Sequence, residues 1–170
     1  METGTGTTIP TVRMDAASQS WFDGQRRKHY PAKLNRIAAH LTLFHTLPQT
    51  GDVRAALGDA AAQTSHFQMQ VSGLRSLGRG VAYVLQSTEL AALHHRLAVS
   101  FDEHLTQQHR QGFRPHVVVQ NKVTAEPARL LLAQLQTGFV PRMVTAQGLD
   151  WWEYLGGPWR LLEYFPFPPM

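Results

Sequence analysis

The chain contains no cysteine, which rules out disulfides and thiolate metal sites and fits a reducing compartment such as the cytoplasm. No apolar run approaches the roughly 20 residues needed to cross a bilayer, so no membrane association is expected. Met1 to Thr8 lacks the basic start and apolar stretch of a secretory signal. Charge is sparse: Asp, Glu, Lys and Arg make up 16% of 170 residues, against 43% hydrophobic. That balance excludes a disordered chain and describes one compact unit, long enough to bury roughly 70% of its unfolded surface. Sixteen Lys and Arg over twelve Asp and Glu give a net charge of +4, which suits an anionic ligand without demanding one. Nothing in the composition marks an obligate protein partner.

The periodicities alternate between strand and helix. Residues 1–8 read as a flexible leader, 9–165 as a single domain and 166–170 as an extended tail. Ile9 to Met14 alternates as a strand, and Asp15 caps a helix that runs to Tyr30 and is stopped by Pro31. Ala38 to Leu47 reads as one strand, and the alanine-rich Asp52 to Gln63 as a helix. Phe67 to Leu77 and Val81 to Leu85 form a hairpin about Gly78-Arg79-Gly80. Ser87 or Thr88 caps a helix whose stripe of Leu90, Leu93, Leu97, Phe101 and Leu105 carries it to about His109, before Gly112. His116 to Val123 is a strand, Thr124 to Gly138 a helix, and residues 141–154 and 159–165 a closing hairpin. The order β-α-β-α-β then β-α-β-α-β-β is the same layout twice.

Each half has a histidine at its second strand. His40-Leu41-Thr42-Leu43 opens one, and His116-Val117-Val118-Val119 the other. If each run is a strand throughout, the period of two sets His40, Thr42 and Phe44 on one face and Leu41, Leu43 and His45 on the other. By the same parity Gln120 and Lys122 share the face of His116, and Arg114 precedes it by two. His40 alone reads better as a partly buried residue satisfied by a backbone group than as a catalytic one. Two histidines in equivalent places favour a shared site. His94, His95, His104 and His109 lack the three- or four-residue spacing that aligns metal ligands on a helix, so a solvated surface is expected for them and no metal site. Trp151, Trp152 and Trp159 read as hairpin packing rather than a ligand cage, and Arg26-Arg27-Lys28 as a helix surface.

With these residues in place the sequence resembles the two-histidine phosphoesterase superfamily, in its 2′-5′ RNA ligase and cyclic phosphodiesterase branch. That family carries two His-x-Thr/Ser-x motifs half a chain apart. The first motif here is complete, and the second has Val118 where a hydroxyl belongs. The resemblance implies an α+β fold of two pseudo-symmetric lobes of antiparallel sheet, with outer helices around a central cleft. It also implies acid/base catalysis by His40 and His116 on RNA ends or nucleotides carrying a cyclic phosphate, with no cofactor. Thr42 would bind phosphate, Val118 would mark the position lacking a donor, and Phe44, Tyr83, Arg114, Gln120 and Lys122 are candidate substrate contacts. Hydrolysis and ligation remain alternative directions, and a non-catalytic RNA- or nucleotide-binding module is the competing reading, motivated by Val118.

Overall fold

The computed structural model describes residues 6–105 and 112–170. Its elements run β1 (Thr7–Met14), α1 (Ala16–His29), β2 (Leu41–Thr42), β3 (Leu47–Pro48), α2 (Gly51–Ala62), β4 (Phe67–Ser76), β5 (Val81–Gln86), α3 (Thr88–Ser100), β6 (His116–Gln120), α4 (Ala125–Thr137), β7 (Arg142–Tyr154) and β8 (Trp159–Pro166). Helices α1 and α3 start where short polar side chains satisfy free N–H groups. Asp15 accepts from the Ser18 N–H at 3.1 Å, and Ser87 accepts from the Leu90 N–H at 3.1 Å. Asp15 also accepts from the Thr145 N–H at 2.8 Å, so the cap of α1 is tied to β7.

All strand pairings are antiparallel, in the order β3-β1-β2-β6-β5-β4-β7-β8 with β1 also paired to β7. The α+β antiparallel class expected above is therefore the observed one. The pairings make a ring, β1-β2-β6-β5-β4-β7, with β3 and β8 outside it. Exchanging β1 with β5, β2 with β6 and β4 with β7 maps every pairing in the ring onto another. The repeated layout legible in the sequence is thus repeated in the hydrogen-bonded topology.

The core lies between this sheet and the helices. Leu41, Val117 and Tyr83 form one cross-strand row, all buried, and α1 covers it. Trp21 and Phe22 of α1 meet the Tyr83 ring edge-on at 5.2 and 6.0 Å. Burying each such side chain contributes about 1.5–3 kcal/mol. Tyr83 is accordingly a core residue, and burial raises its phenol pKa.

Several local features depart from simple alternation. Thr7 and Thr8 pair with β3 and β7, and Thr8 is fully buried, so the strand begins inside the expected leader. The Ala38 to Leu47 run is two short strands. Between the pairs Thr7↔Pro48 and Thr11↔Thr42 this side carries two residues more than β1, and a bend at Leu43 takes up the surplus. Parity fails there: Leu43 and Phe44 are both buried. Phe44 stacks on His94 at 4.5 Å and meets Phe101 edge-on at 5.4 Å.

Helix α3 stops at Ser100, where the Phe101 N–H bonds the carbonyls of Leu97 and Val99 and the chain tightens into a single 3-10 turn, Asp102–His104. His109 lies outside the described residues. Strand β6 ends at Gln120, and Lys122 sits in the turn beyond it with φ 63°, a conformation that few side-chain-bearing residues adopt. Gly80 allows that turn to close on the β4–β5 hairpin, since a Cβ there would lie 2.0 Å from the Gln120 carbonyl oxygen.

Phe44 is fully buried and does not itself line the cleft, so its truncation tests chiefly the core, with His94 as its one contact toward the cavity. Phe44→Ala is expected to destabilise the protein by about 3–5 kcal/mol, measured as a lowered urea midpoint.

Candidate active site

The β2–β6 ladder sets the geometry. Leu41 pairs directly with Val117, and both point into the core. Antiparallel pairing then places His40 opposite Val118 and Thr42 opposite His116, on the other face. His40 and His116 are diagonal neighbours, a relation that spaces residues about 7–8 Å apart. That gap admits one phosphoryl group with an imidazole on each side.

The same logic extends across the sheet, and two rows emerge. One runs Asp150, Thr11, Thr42, His116, Val84, Gly73, and the other Gly148, Arg13, His40, Val118, Ala82, Arg75. Reversing one row superimposes it on the other by the pseudo-twofold exchange, with the axis passing between Leu41 and Val117.

Both imidazoles are held alike. His40 Nδ1 lies 2.8 Å from the Ala38 carbonyl oxygen, and His116 Nδ1 lies 2.7 Å from that of Arg114. A carbonyl only accepts, so each Nδ1 carries the proton and each Nε2 is left to engage a ligand. Burial drives the His40 pKa down to about 4, against the bond to Ala38, with further lowering by Arg26, His116 and His45. Its ring also packs against Trp159 at 4.5 Å. Arg26 is itself buried, not part of a solvated basic face, and donates to Asn35 Oδ1 at 2.9 Å and to the Val118 carbonyl at 3.1 Å. It clamps β6 from behind.

The two histidines open into a cavity of about 420 Å³, shared with Thr42, Val118, Arg75, Arg114, His45 and His94. Among the described residues no carboxylate lines it. A second cavity of about 540 Å³ adjoins it through His40, with Trp152 and Trp159 among its walls and the Arg13–Asp150 ion pair (2.7 Å) at one side. The Trp152 indole donates to Thr11 Oγ1 at 2.9 Å, while Trp151 is buried as a packing residue.

Of the residues anticipated from sequence, His40, His116, Thr42, Val118 and Arg114 line the first cavity. Phe44 and Tyr83 are in the core. Gln120 is buried too, because Val118 pairs with Ala82 and Gln120 with Val81. Val119 is thus a bulge, which turns Gln120 away from the His116 face. Lys122 is exposed beyond the strand and does not reach the cavity.

Six cavity residues were not anticipated, and three of them, His45, His94 and Arg75, carry ionisable side chains. His45, assigned by parity to the opposite face, enters because of the bend at Leu43. His94 stacks between Phe44 and Phe113, and Arg75 arrives from β4. Nothing local in the sequence signals either residue, since strand pairing brings in Arg75 and the packing of α3 on Phe44 and Phe113 brings in His94. Away from the cleft, His104 bonds Asp52 at 2.9 Å, and with Glu103 these groups bring ligand atoms within 4.8 Å of one another. His104 is therefore in a surface acid–imidazole cluster and not simply solvated.

An antiparallel bilobal sheet with a central pair of like-oriented imidazoles is the arrangement that the two-histidine resemblance implies. A profile of the 2′-5′ RNA ligase superfamily matches residues 14–158. The chain belongs to that superfamily. No curated protein matches it in sequence. TT0787 of Thermus thermophilus is 15% identical with a TM-score of 0.68, over 96% of this chain and 98% of that one. A structure described as a phosphoesterase is 14% identical with a TM-score of 0.66, over 97% and 99%. E. coli LigT complexed with 3′-AMP is 16% identical with a TM-score of 0.63, over 96% and 99%. At such identities these structures establish the shared fold. Among the described residues no helix is long and apolar enough to cross a membrane.

The depressed His40 pKa has a thermodynamic signature. The unfolded imidazole takes a proton near pH 6.5, whereas the folded one stays neutral down to about pH 4. Protonation in that window favours unfolding, so stability falls as pH drops through it. His40→Gln is expected to flatten the decline between pH 6.5 and 4, read from urea midpoints at several pH values.

Proposed function

We propose that this protein is a 2′,3′-cyclic phosphodiesterase acting on RNA ends or nucleotides by histidine acid/base catalysis. The observation that carries the reading is the symmetric pair of imidazoles, diagonal across β2 and β6, each with its Nδ1 tied to a carbonyl two residues before it. His40, neutral at physiological pH, takes a proton from water as the water oxygen bonds to phosphorus. The bond from phosphorus to one ribose oxygen breaks, and His116 gives that oxygen a proton. Thr42 donates to a phosphate oxygen whose charge grows in the transition state. A cavity lined by arginine and histidine without carboxylates favours the anion at every stage.

Membership of the superfamily supports this reading. So does the 3′-AMP complex of E. coli LigT, because a nucleoside 3′-phosphate is what remains when water opens a cyclic phosphate at the 2′ oxygen. Run backwards with a ribose hydroxyl in place of water, the same site joins RNA ends. A cytoplasmic setting fits the cysteine-free chain. Val118, which offers no hydrogen bond where the family has a hydroxyl, favours a second reading: a module that binds nucleotides without turning them over.

Purified protein given 2′,3′-cyclic AMP is expected to release a monophosphate. His40→Ala and His116→Ala should each lower kcat by about 10²- to 10⁴-fold without unfolding the protein, and Thr42→Val by about 10²-fold. With His40 as the base, kcat/KM should climb through about pH 4 as that imidazole loses its proton. Absence of product from the wild type at every pH, with nucleotide binding retained in both histidine variants, would establish the binding module instead.

A further inference from the structure

We propose that Arg75 is a catalytic phosphate-binding residue, supplying from β4 the positive charge that substitutes for the hydroxyl missing at Val118. The inference rests on the phosphodiesterase reading and concerns the same site.

The two rows across the cleft locate it. On one side of the pseudo-twofold axis the sheet presents Thr42, then Thr11, then Asp150. The equivalent positions on the other side are Val118, Ala82 and Arg75. One half thus offers two hydroxyls backed by a carboxylate, and the other offers two short apolar side chains backed by a guanidinium. The differences compensate. Where a hydroxyl donor is gone a cation has appeared, in the same row and on the same face.

The intervening residues leave its path clear. Arg75 is two strands from Val118, and between them stands only the methyl group of Ala82. A long arginine stem can lie along such a surface and carry its charged head beyond it. That Arg75 reaches the cleft is shown by its place among the cavity-lining residues, with His40, His116 and Val118. Other arginines are committed elsewhere, Arg13 to Asp150, Arg54 to Glu163 and Arg160 to Glu153. Arg75 has no ion pair among the described residues, and the cavity it lines holds no carboxylate to neutralise it.

Arg114 does not fill the same place. It precedes His116 on β6 and so stands at the Thr42 end of the site, where the family hydroxyl is already present. A guanidinium presents several donors in a planar fork and makes shorter, stronger bonds to phosphate oxygens than a neutral hydroxyl does. The second motif can therefore lose its hydroxyl while the growing charge on the phosphate keeps a partner.

The test is a double-mutant cycle on 2′,3′-cyclic AMP, with 3′-AMP binding followed by calorimetry as a readout independent of turnover. Arg75→Ala should lower kcat by about 10²- to 10³-fold and weaken 3′-AMP at least tenfold, with an unchanged melting temperature; Arg75→Lys should recover part of both. Val118→Thr should raise kcat at least tenfold in the Arg75→Ala background and by a clearly smaller factor with Arg75 present, the non-additivity expected of groups that share a partner. Wild-type turnover and 3′-AMP affinity in Arg75→Ala, or an equal gain from Val118→Thr in both backgrounds, would overturn the proposal. If the wild type turns over no cyclic nucleotide, the phosphodiesterase reading fails and with it the catalytic role, while loss of 3′-AMP affinity in Arg75→Ala would still identify the residue as a phosphate ligand.

Discussion

The pairing of Leu41 with Val117 is the contact on which the site depends. It is where the strand of the first motif meets the strand of the second, and each partner sits between two residues that face the cleft. A slip of one residue on either strand would invert its parity and send one histidine into the core. Such a slip is opposed from the core side, where Leu41, Val117, Tyr83 and Phe22 pack without exposure to water beyond a few per cent. Arg26 adds a fixed bond from α1 to the carbonyl of Val118. The geometry of the candidate site and the packing of the core are consequently one constraint seen from opposite faces of a sheet.

The electrostatics follow from that placement. His40 stands where burial and neighbouring cations both disfavour its charged form, and no acid among the described residues lines the cavity to offset them. The protein thus keeps one imidazole neutral while concentrating positive charge around it. The neighbouring cavity is different in kind: one of its two arginines, Arg13, is matched by Asp150, and Trp152 and Trp159 are among its walls. The pseudo-twofold axis relates the backbones closely and the side chains only in part, so the two halves of the cleft present unlike chemistry to a bound molecule.

Much of this was legible in the sequence because it is locally encoded. Asp15 and Ser87 mark helix starts by accepting from free backbone N–H groups, Thr124 and Gly138 stand at the two ends of α4, and the two histidine motifs announce themselves by composition and spacing. Parity arguments worked as far as Thr42 and Val118. They failed past those points for one reason, surplus residues in a ladder. The bend after Thr42 sent Phe44 inward and His45 outward, and the bulge at Val119 did the same to Gln120. Neither surplus is visible until the partner strand is known. Arg75 was illegible for the same reason, since its relation to Val118 exists only through the pairing of β4 with β5 and β5 with β6.

The ring of strands has one last consequence, for how the molecule behaves in a crowded solution. Unsatisfied strand borders recruit other chains and seed aggregates, and here each of the six ring strands is flanked by two others. The borders that remain belong to β3, two residues long and ending in Pro48, and to β8, which carries Arg160 and Glu163 in ion pairs and runs into Pro166, Pro168 and Pro169. Proline withholds the donor that an incoming strand would need, and charge makes its approach unfavourable. An extensively β-paired protein is in this way left with little to offer a stray neighbour.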